Sequence, residues 1–252
     1  MRPLIRQNRR PKIREKFVID LQSNRQLLTE EQFVARLKKI GAEKYHDKHP
    51  FHARMHEGRL SKPEMQRWIA NRFYYQKCLP VKDGIVLSKL PQRADRIKWR
   101  ERIVDHDGRT EDDGGILAWL KFAEAAGIRK DDLLEGKLFL PGVIFAVDAY
   151  VNYCRNNVWW LAVASSLTEV FAPSLVSYRI EVIERHYSWI DKEGLTYFRN
   201  RLTQAPRDAE HGLSLVLAAA DTAEKQEQAL KAVEFKCDVL WSMVDAIQNG
   251  DR

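Results

Sequence analysis

From Leu28 onward, apolar residues return at three- and four-residue steps, and no stretch alternates apolar with polar residues long enough to make a strand. That period belongs to helices with one buried face. A first helix is predicted to open at Thr29, where Thr29 and Gln32 have capping-box spacing, and to stop before Gly41. An aromatic, histidine-rich loop follows from Tyr45 to His56. Ser61 with Glu64 starts a second helix through Met65, Trp68, Ile69, Phe73 and Leu79, expected to bend at Pro80. Arg93 to Asp107 makes a third, stopped by Gly108, and an acidic loop at Glu111 to Asp113 leads to a fourth from Gly115 to Ala126, closed by Gly127. Pro141 opens a long apolar segment from Val143 through Phe171. Pro173 begins a helix to about His186, Leu195 to Thr203 form another, and Pro206 is read as separating it from a helix through Leu213 to Ala220. Thr222 caps the last long helix, which runs to Ile247. The prediction is an all-α, compact seven-helix bundle, a single domain over residues 29–252.

Composition changes this picture little. Twelve glycines and nine prolines in 252 residues are few for a loop-rich or all-β chain, and 44% hydrophobic residues supply a core. The longest apolar runs are soon interrupted, Val158 to Ala164 by Ser165, Thr168 and Glu169, so a spanning segment is not expected. Charge is informative by its placement. Of the net +7, residues 1–28 carry +6, through eight basic side chains against Glu15 and Asp20. This segment reads as a solvated basic arm, with a composition that also fits a transit peptide. The nearly neutral remainder argues against nucleic acid or a membrane as a partner. Cys78, Cys154 and Cys237 are odd in number and sit among apolar neighbours, as buried free thiols of a cytoplasmic protein would.

Candidate chemistry lies where helical spacing puts polar groups on apolar seams. Lys236 stands beside the stripe Val233, Cys237, Leu240 and Val244. Arg72 and Gln76 continue the row of Trp68 at four-residue steps. Arg102 with His106, and Tyr197 with Arg201, repeat the same geometry on two further helices. Each alone reads as a snorkelling side chain or half of an internal salt bridge. Together they turn several cations inward against one clear inward acid, Glu169. Burying an unpaired ion costs several kcal/mol, so a ligand with several carboxylates is expected to supply the missing charge. His106, in Asp105-His106-Asp107-Gly108 at a helix C-terminus, is expected to be a charged imidazolium suited to proton donation.

Metal and nucleotide chemistry find no matching pattern. His46, His49, His52 and His56 crowd one segment without a second ligand cluster, and Asp208 with His211 is the one helical acid-to-histidine pair at the three-residue spacing of a di-iron bundle. GxGxxG, P-loop and GxSxG motifs are absent. No metal and no organic cofactor are expected.

Seven ordered stretches carry a resemblance: YHDKHPFH from Tyr45, WIANRFYYQ ending at Gln76, RIVDHDG ending at Gly108, VDAY ending at Tyr150, SSLTEVFAP ending at Pro173, YFRNRLTQAPRDAEHG ending at Gly212, and FKCDVLW ending at Trp241. They resemble the pyrroloquinoline-quinone synthase family, within the heme-oxygenase-like, TenA-like superfamily. The resemblance implies a heme-oxygenase-like helical bundle, a homodimer, and a cofactor-independent oxidase in the cytoplasm. Its substrate would be the bicyclic polycarboxylate last intermediate of pyrroloquinoline quinone (PQQ) biosynthesis, its co-substrate O2 and its products PQQ and H2O2. The pocket it implies contains Tyr45, His46, Arg72, Gln76, Arg102, Tyr150, Thr168, Glu169, Arg179 and Lys236 as substrate-binding residues. Of these, Arg72, Arg102, Arg179 and Lys236 would clamp carboxylates, while His106, Tyr197 and Arg201 would surround the oxygen site as catalytic groups.

Two departures from the family pattern stand out. Val176 occupies a place where a pocket histidine is expected, and the chain ends at Arg252 soon after Asp245-Ala246, which bears on pocket closure. The readings that compete are a thiaminase-like or heme-binding relative, a metal-dependent oxidase of the same shape, and a non-catalytic PQQ-binding paralogue.

Overall fold

A computed structural model describes residues 26–250, so the basic arm at 1–28, save for its last three residues, lies outside the described residues. Eleven α-helices are described: α1 Glu30–Lys44, α2 Pro50–His56, α3 Lys62–Lys89, α4 Arg93–Asp107, α5 Gly115–Ala125, α6 Lys130–Leu134, α7 Pro141–Asn156, α8 Trp159–Ala164, α9 Ala172–His186, α10 Thr196–Ala219 and α11 Ala223–Asn249. Short 3-10 turns cover His46–Lys48, Leu167–Phe171 and Lys192–Leu195. The all-α expectation holds and the count of seven does not. The extra helices α2, α6 and α8 have seven, five and six residues, too short to show a period.

Capping fixes the helix starts as expected. Thr29 and Ser61 each form a full capping box with Gln32 and Glu64. The prolines behave differently. Helix α3 runs unbroken through Pro80 and α10 through Pro206, so Pro206 does not separate two helices. Each proline removes one N–H from the ladder, and the carbonyls four residues back belong to Gln76 and Leu202.

Conversely, the apolar stretch from Val143 to Phe171 breaks into α7, α8 and a 3-10 turn. The end of α7 is held by Lys89, whose Nζ donates to the carbonyls of Cys154 at 2.8 Å, Arg155 at 2.6 Å and Asn157 at 2.7 Å. The residues Trp159–His186 together reach the length and hydropathy of a membrane span. They form two helices and a turn packed against α10 and α11, and they contribute Glu169 and Arg179 to an internal cavity.

One hydrophobic cluster extends from Phe33 to Ile247. Within it, Trp119 meets Trp68, Phe122 and Tyr197 edge to face at centroid distances of 5.9, 5.5 and 4.8 Å, an arrangement that rigid aromatic rings favour. This packing fixes Tyr197 at the first turn of α10. The Tyr45–His46 turn is tied to α11 by His49, which accepts from the Phe51 N–H at Nδ1 (3.1 Å) and donates from Nε2 to Asp245 at 2.9 Å. Gly108 ends α4 at φ +90°, where a Cβ would sit 2.6 Å from the Asp113 carbonyl oxygen. Only glycine permits that turn, and it sets the position of His106 two residues before.

Candidate active site

Helices α3, α9 and α10, the 45–46 and 167–171 turns and Leu240 of α11 enclose a cavity of about 90 Å³. Of the thirteen expected site residues it brings nine to its wall: Tyr45, His46, Arg72, Gln76, Thr168, Glu169, Arg179, Tyr197 and Arg201. Arg102, His106, Tyr150 and Lys236 lie behind that wall. Tyr75, Leu79, Trp119, Ala172, Leu175, Val176, Phe198 and Leu240 complete the lining. The wall therefore combines cationic and hydrogen-bonding groups with apolar and aromatic ones, a lining suited to an anionic ring compound. The departure at Val176 gives the cavity an apolar side chain there.

The inward cations divide into two groups. Arg102 donates from Nη1 to Glu169 at 2.6 Å and from Nη2 to the Asp208 carbonyl oxygen. Arg201 lies 3.4 Å from Asp208 and 3.9 Å from Glu169, and Arg207 donates to Asp208 at 2.7 Å. Burial opposes charge on Arg102 and Arg201, but the carboxylates outweigh it and raise both pKa values. Asp208, 4% exposed, is an inward acid that sequence reading assigned no such role. Arg102 is thus paired with Glu169 and lies close to the Asp208 carboxylate within the fold.

Arg179 and Lys236 belong to the second group. Arg179 has Nε and Nη2 buried without a partner, its guanidinium over the Trp68 ring at 5.1 Å. Burial and the neighbouring Arg72 pull it down to about 10, so it stays charged at neutral pH. Lys236 Nζ is buried without a partner, 3.1 Å from the Tyr150 ring centroid and 4.3 Å from that of Tyr75. Burial first, then Lys82 and Arg72, hold its pKa well below the ordinary lysine value. Among the described residues Arg72 has no ion-pair partner, and its guanidinium lies over Tyr75 at 4.2 Å.

The folded state thus binds fewer protons at Lys236 than the unfolded chain. Its destabilising effect is full below the folded pKa and fades as pH rises toward the unfolded value of about 10.4. Lys236→Met is expected to be more stable than the parent at pH 7, by about 1–4 kcal/mol, as when buried charge gives way to an apolar side chain. The gap should close toward pH 10, and paired urea titrations at both pH values check it. A gap that widens with pH would show that Lys236 is charged in the fold.

His106 departs most from expectation. It is 5% exposed with Nδ1 buried and unpartnered, and burial, Arg201, Lys82 and Arg102 hold its pKa well below the usual histidine range. The helix-end carbonyls and flanking acids do not offset these. His106 is a neutral imidazole, not an imidazolium. Tyr197, whose pKa burial raises, stays a phenol and donates to Gln76 Oε1 at 2.8 Å. Tyr45 is pushed up to about 12 by burial. Behind the wall, Tyr150 meets Ser166 at 3.1 Å, and Ser166 accepts from Lys82 at 3.2 Å, which is paired to Asp83 at 2.7 Å. The Lys82–Asp83 pair was not visible as a seam feature, because adjacent residues rarely share one helix face.

Among the described residues no group of three or more His, Cys, Asp or Glu side chains is placed to hold a metal ion. Of the four histidines of residues 46–56, His46 and His52 are in mutual hydrogen-bond contact, His49 bonds Asp245, and His56 stacks on His52. Cys78, Cys154 and Cys237 are free thiols, with burial raising the pKa of each.

The sequence pattern of the TENA/THI-4/PQQC family matches residues 34–246. The pyrroloquinoline-quinone synthase of Klebsiella pneumoniae subsp. pneumoniae is 51% identical over 203 residues, 81% of each chain. That of Cronobacter sakazakii is 48% identical over 225 residues, 89% of each chain. A TenA homologue from Pseudomonas syringae pv. tomato superposes with a TM-score of 0.65 at 12% identity, covering 86% of this chain and 91% of its own. A heme-oxygenase-like domain from Shewanella denitrificans gives 0.68 at 13% identity, covering 92% and 94%. The two structures share the fold, while the synthases share the sequence along most of its length, and with the match over residues 34–246 the chain belongs to the TENA/THI-4/PQQC family.

Proposed function

We propose that the protein is a pyrroloquinoline-quinone synthase, working as a homodimer in the cytoplasm without metal or organic cofactor. It closes the second ring of the bicyclic last intermediate of PQQ biosynthesis and oxidises it with O2. The observation that carries this reading is the charge imbalance of the cavity. Arg72 and Arg179 line it without carboxylate partners, and the Lys236 amine, buried without a partner, can take up a proton when an anion binds, while Glu169 is engaged by Arg102 and Arg201. A ligand with several carboxylates completes such a site, each charge-assisted bond contributing about 1.5–3 kcal/mol. The near-half identity to synthases supports the same substrate.

In each two-electron step the substrate loses two electrons and two protons, and O2 accepts both to leave as H2O2. The substrate's own conjugated rings carry the electrons. Arg201, a fixed cation on the cavity wall, stabilises negative charge as it builds on oxygen, and the Tyr197 phenol supplies a proton donor beside it. Neutral His106, one layer back, takes up a proton released by the substrate and passes it on to reduced oxygen.

The test is to mix the protein anaerobically with the bicyclic intermediate and then admit oxygen. Quinone absorbance with H2O2 is expected. Tight binding of PQQ without turnover would instead favour the non-catalytic paralogue, and turnover abolished by a chelator and restored by iron would favour the metal-dependent oxidase.

A further inference from the structure

His46 lines the cavity, its Nδ1 is turned to His52, and its Nε2 is the ring nitrogen left over. Its Nδ1 lies 3.0 Å from Nδ1 of His52, and that same His52 nitrogen lies 2.8 Å from the His46 carbonyl oxygen. Both rings are buried, at 2% and 1% exposure, so no bulk water competes for these contacts. A carbonyl oxygen can only accept. His52 Nδ1 must therefore carry the hydrogen, since a lone pair there would face the carbonyl at 2.8 Å. The same N–H then points between two acceptors, the His46 carbonyl and the His46 Nδ1 lone pair. With Nδ1 an acceptor, the hydrogen of a neutral His46 is on Nε2. Burial first, then His52, Arg72, Arg179 and Lys236, keep His46 uncharged, so the tautomer is a real choice.

We infer that His52 is a positioning residue: it locks His46 as the Nε2–H tautomer and so turns His46 into a fixed hydrogen-bond donor to an anionic ligand in the cavity. His52 itself does not line the cavity. The consequence for the ligand rests on the function proposed above, but the tautomer does not. A neutral donor recognises a carboxylate without adding a further charge beside Arg72 and Arg179. It also has no lone pair facing the cavity, so His46 is not the base that takes substrate protons. The other edge of His52 agrees with this assignment. Its Nε2 is buried without a partner, and an unmet acceptor costs less there than an unmet N–H.

The tautomer is read directly from long-range ¹H–¹⁵N correlations of histidine-labelled protein, with His46 assigned from the spectrum of His46→Gln. Expected are Nε2–H for His46 and Nδ1–H for His52. An Nδ1–H tautomer at His46, or a doubly protonated ring, would overturn the inference whatever the protein binds. His52→Asn keeps an N–H at the place of Nδ1 and should hold His46 as Nε2–H. His52→Leu should release it to a tautomer mixture and weaken PQQ binding about three- to tenfold, the value of one hydrogen bond. Equal PQQ affinity in the parent and His52→Leu would overturn the role in recognition. Failure of the parent to bind PQQ would instead count against the proposed function and leave the tautomer result standing.

Discussion

His106→Asn, Tyr197→Phe and Arg201→Ser are each expected to bind substrate yet turn over about 10²- to 10⁴-fold more slowly, stalling at partly oxidised species under air. The reason is where charge appears. In the proposed function substrate binding falls to Arg72, Arg179 and His46, which line the cavity, and none of these is altered. Reduction of O2 creates negative charge that is absent from the resting complex, so a fixed cation lowers the barrier more than it tightens binding. Arg201 is fixed by Asp208 at 3.4 Å and Glu169 at 3.9 Å, and Tyr197 by Gln76 at 2.8 Å and the Trp119 ring. The role proposed for His106 rests on its low proton affinity: burial, Arg201, Lys82 and Arg102 favour the neutral ring, so a proton taken up there is readily passed on. Single-turnover spectra separate binding from the later steps. Full conversion to the quinone at parental rates in all three variants would put the oxygen site elsewhere.

How far the sequence carried this picture can be judged residue by residue. The seam positions Arg72, Gln76, Tyr197 and Arg201 reach the cavity wall because their helices are long and regular, so a spacing of four fixes a direction. Lys236 is buried as expected, but which cations would be paired was not legible. Arg102 pairs with Glu169 at 2.6 Å, but its second carboxylate, Asp208 at 4.0 Å, sits seven residues after Arg201 on the same face of α10. Reading Pro206 as a break removed that relation, since local propensity counts a proline against a helix that tertiary packing nonetheless sustains. The protonation of His106 failed for a similar reason. Helix-end carbonyls and flanking acids are local and visible, whereas burial, Arg201 of α10 and Lys82 of α3 come from distant parts of the chain. The turn residues Tyr45, His46, Thr168 and Glu169 lie in short 3-10 segments or beside them, where no period exists to read. They were placed by resemblance alone, save Glu169, also read as an inward acid.

Asp208→Ala is expected to destabilise the fold by about 3–5 kcal/mol, the loss seen when one partner of a buried ion pair is removed. The Asp208 side chain is 4% exposed and faces three guanidinium groups: Arg201 at 3.4 Å, Arg207 at 2.7 Å and Arg102 at 4.0 Å. Without it Glu169 is left to serve both Arg102 and Arg201, while Arg207 keeps Asp105. The bond from Arg102 to the residue-208 carbonyl is backbone-mediated and survives, so the loss measured is that of the carboxylate. Asp208→Asn retains an acceptor and the shape, and should fall between parent and alanine. Lys39→Ala serves as the contrast. Its partner Glu43 is 3.8 Å away with both side chains more than half exposed, so its removal should cost no more than about 1 kcal/mol. For a chain of this size the alanine variant at 208 should melt about 6–20 °C below the parent. A melting point within a degree or two of the parent would mean that water or a rearranged Glu169 neutralises the arginines, and that the cluster is not a closed ion network.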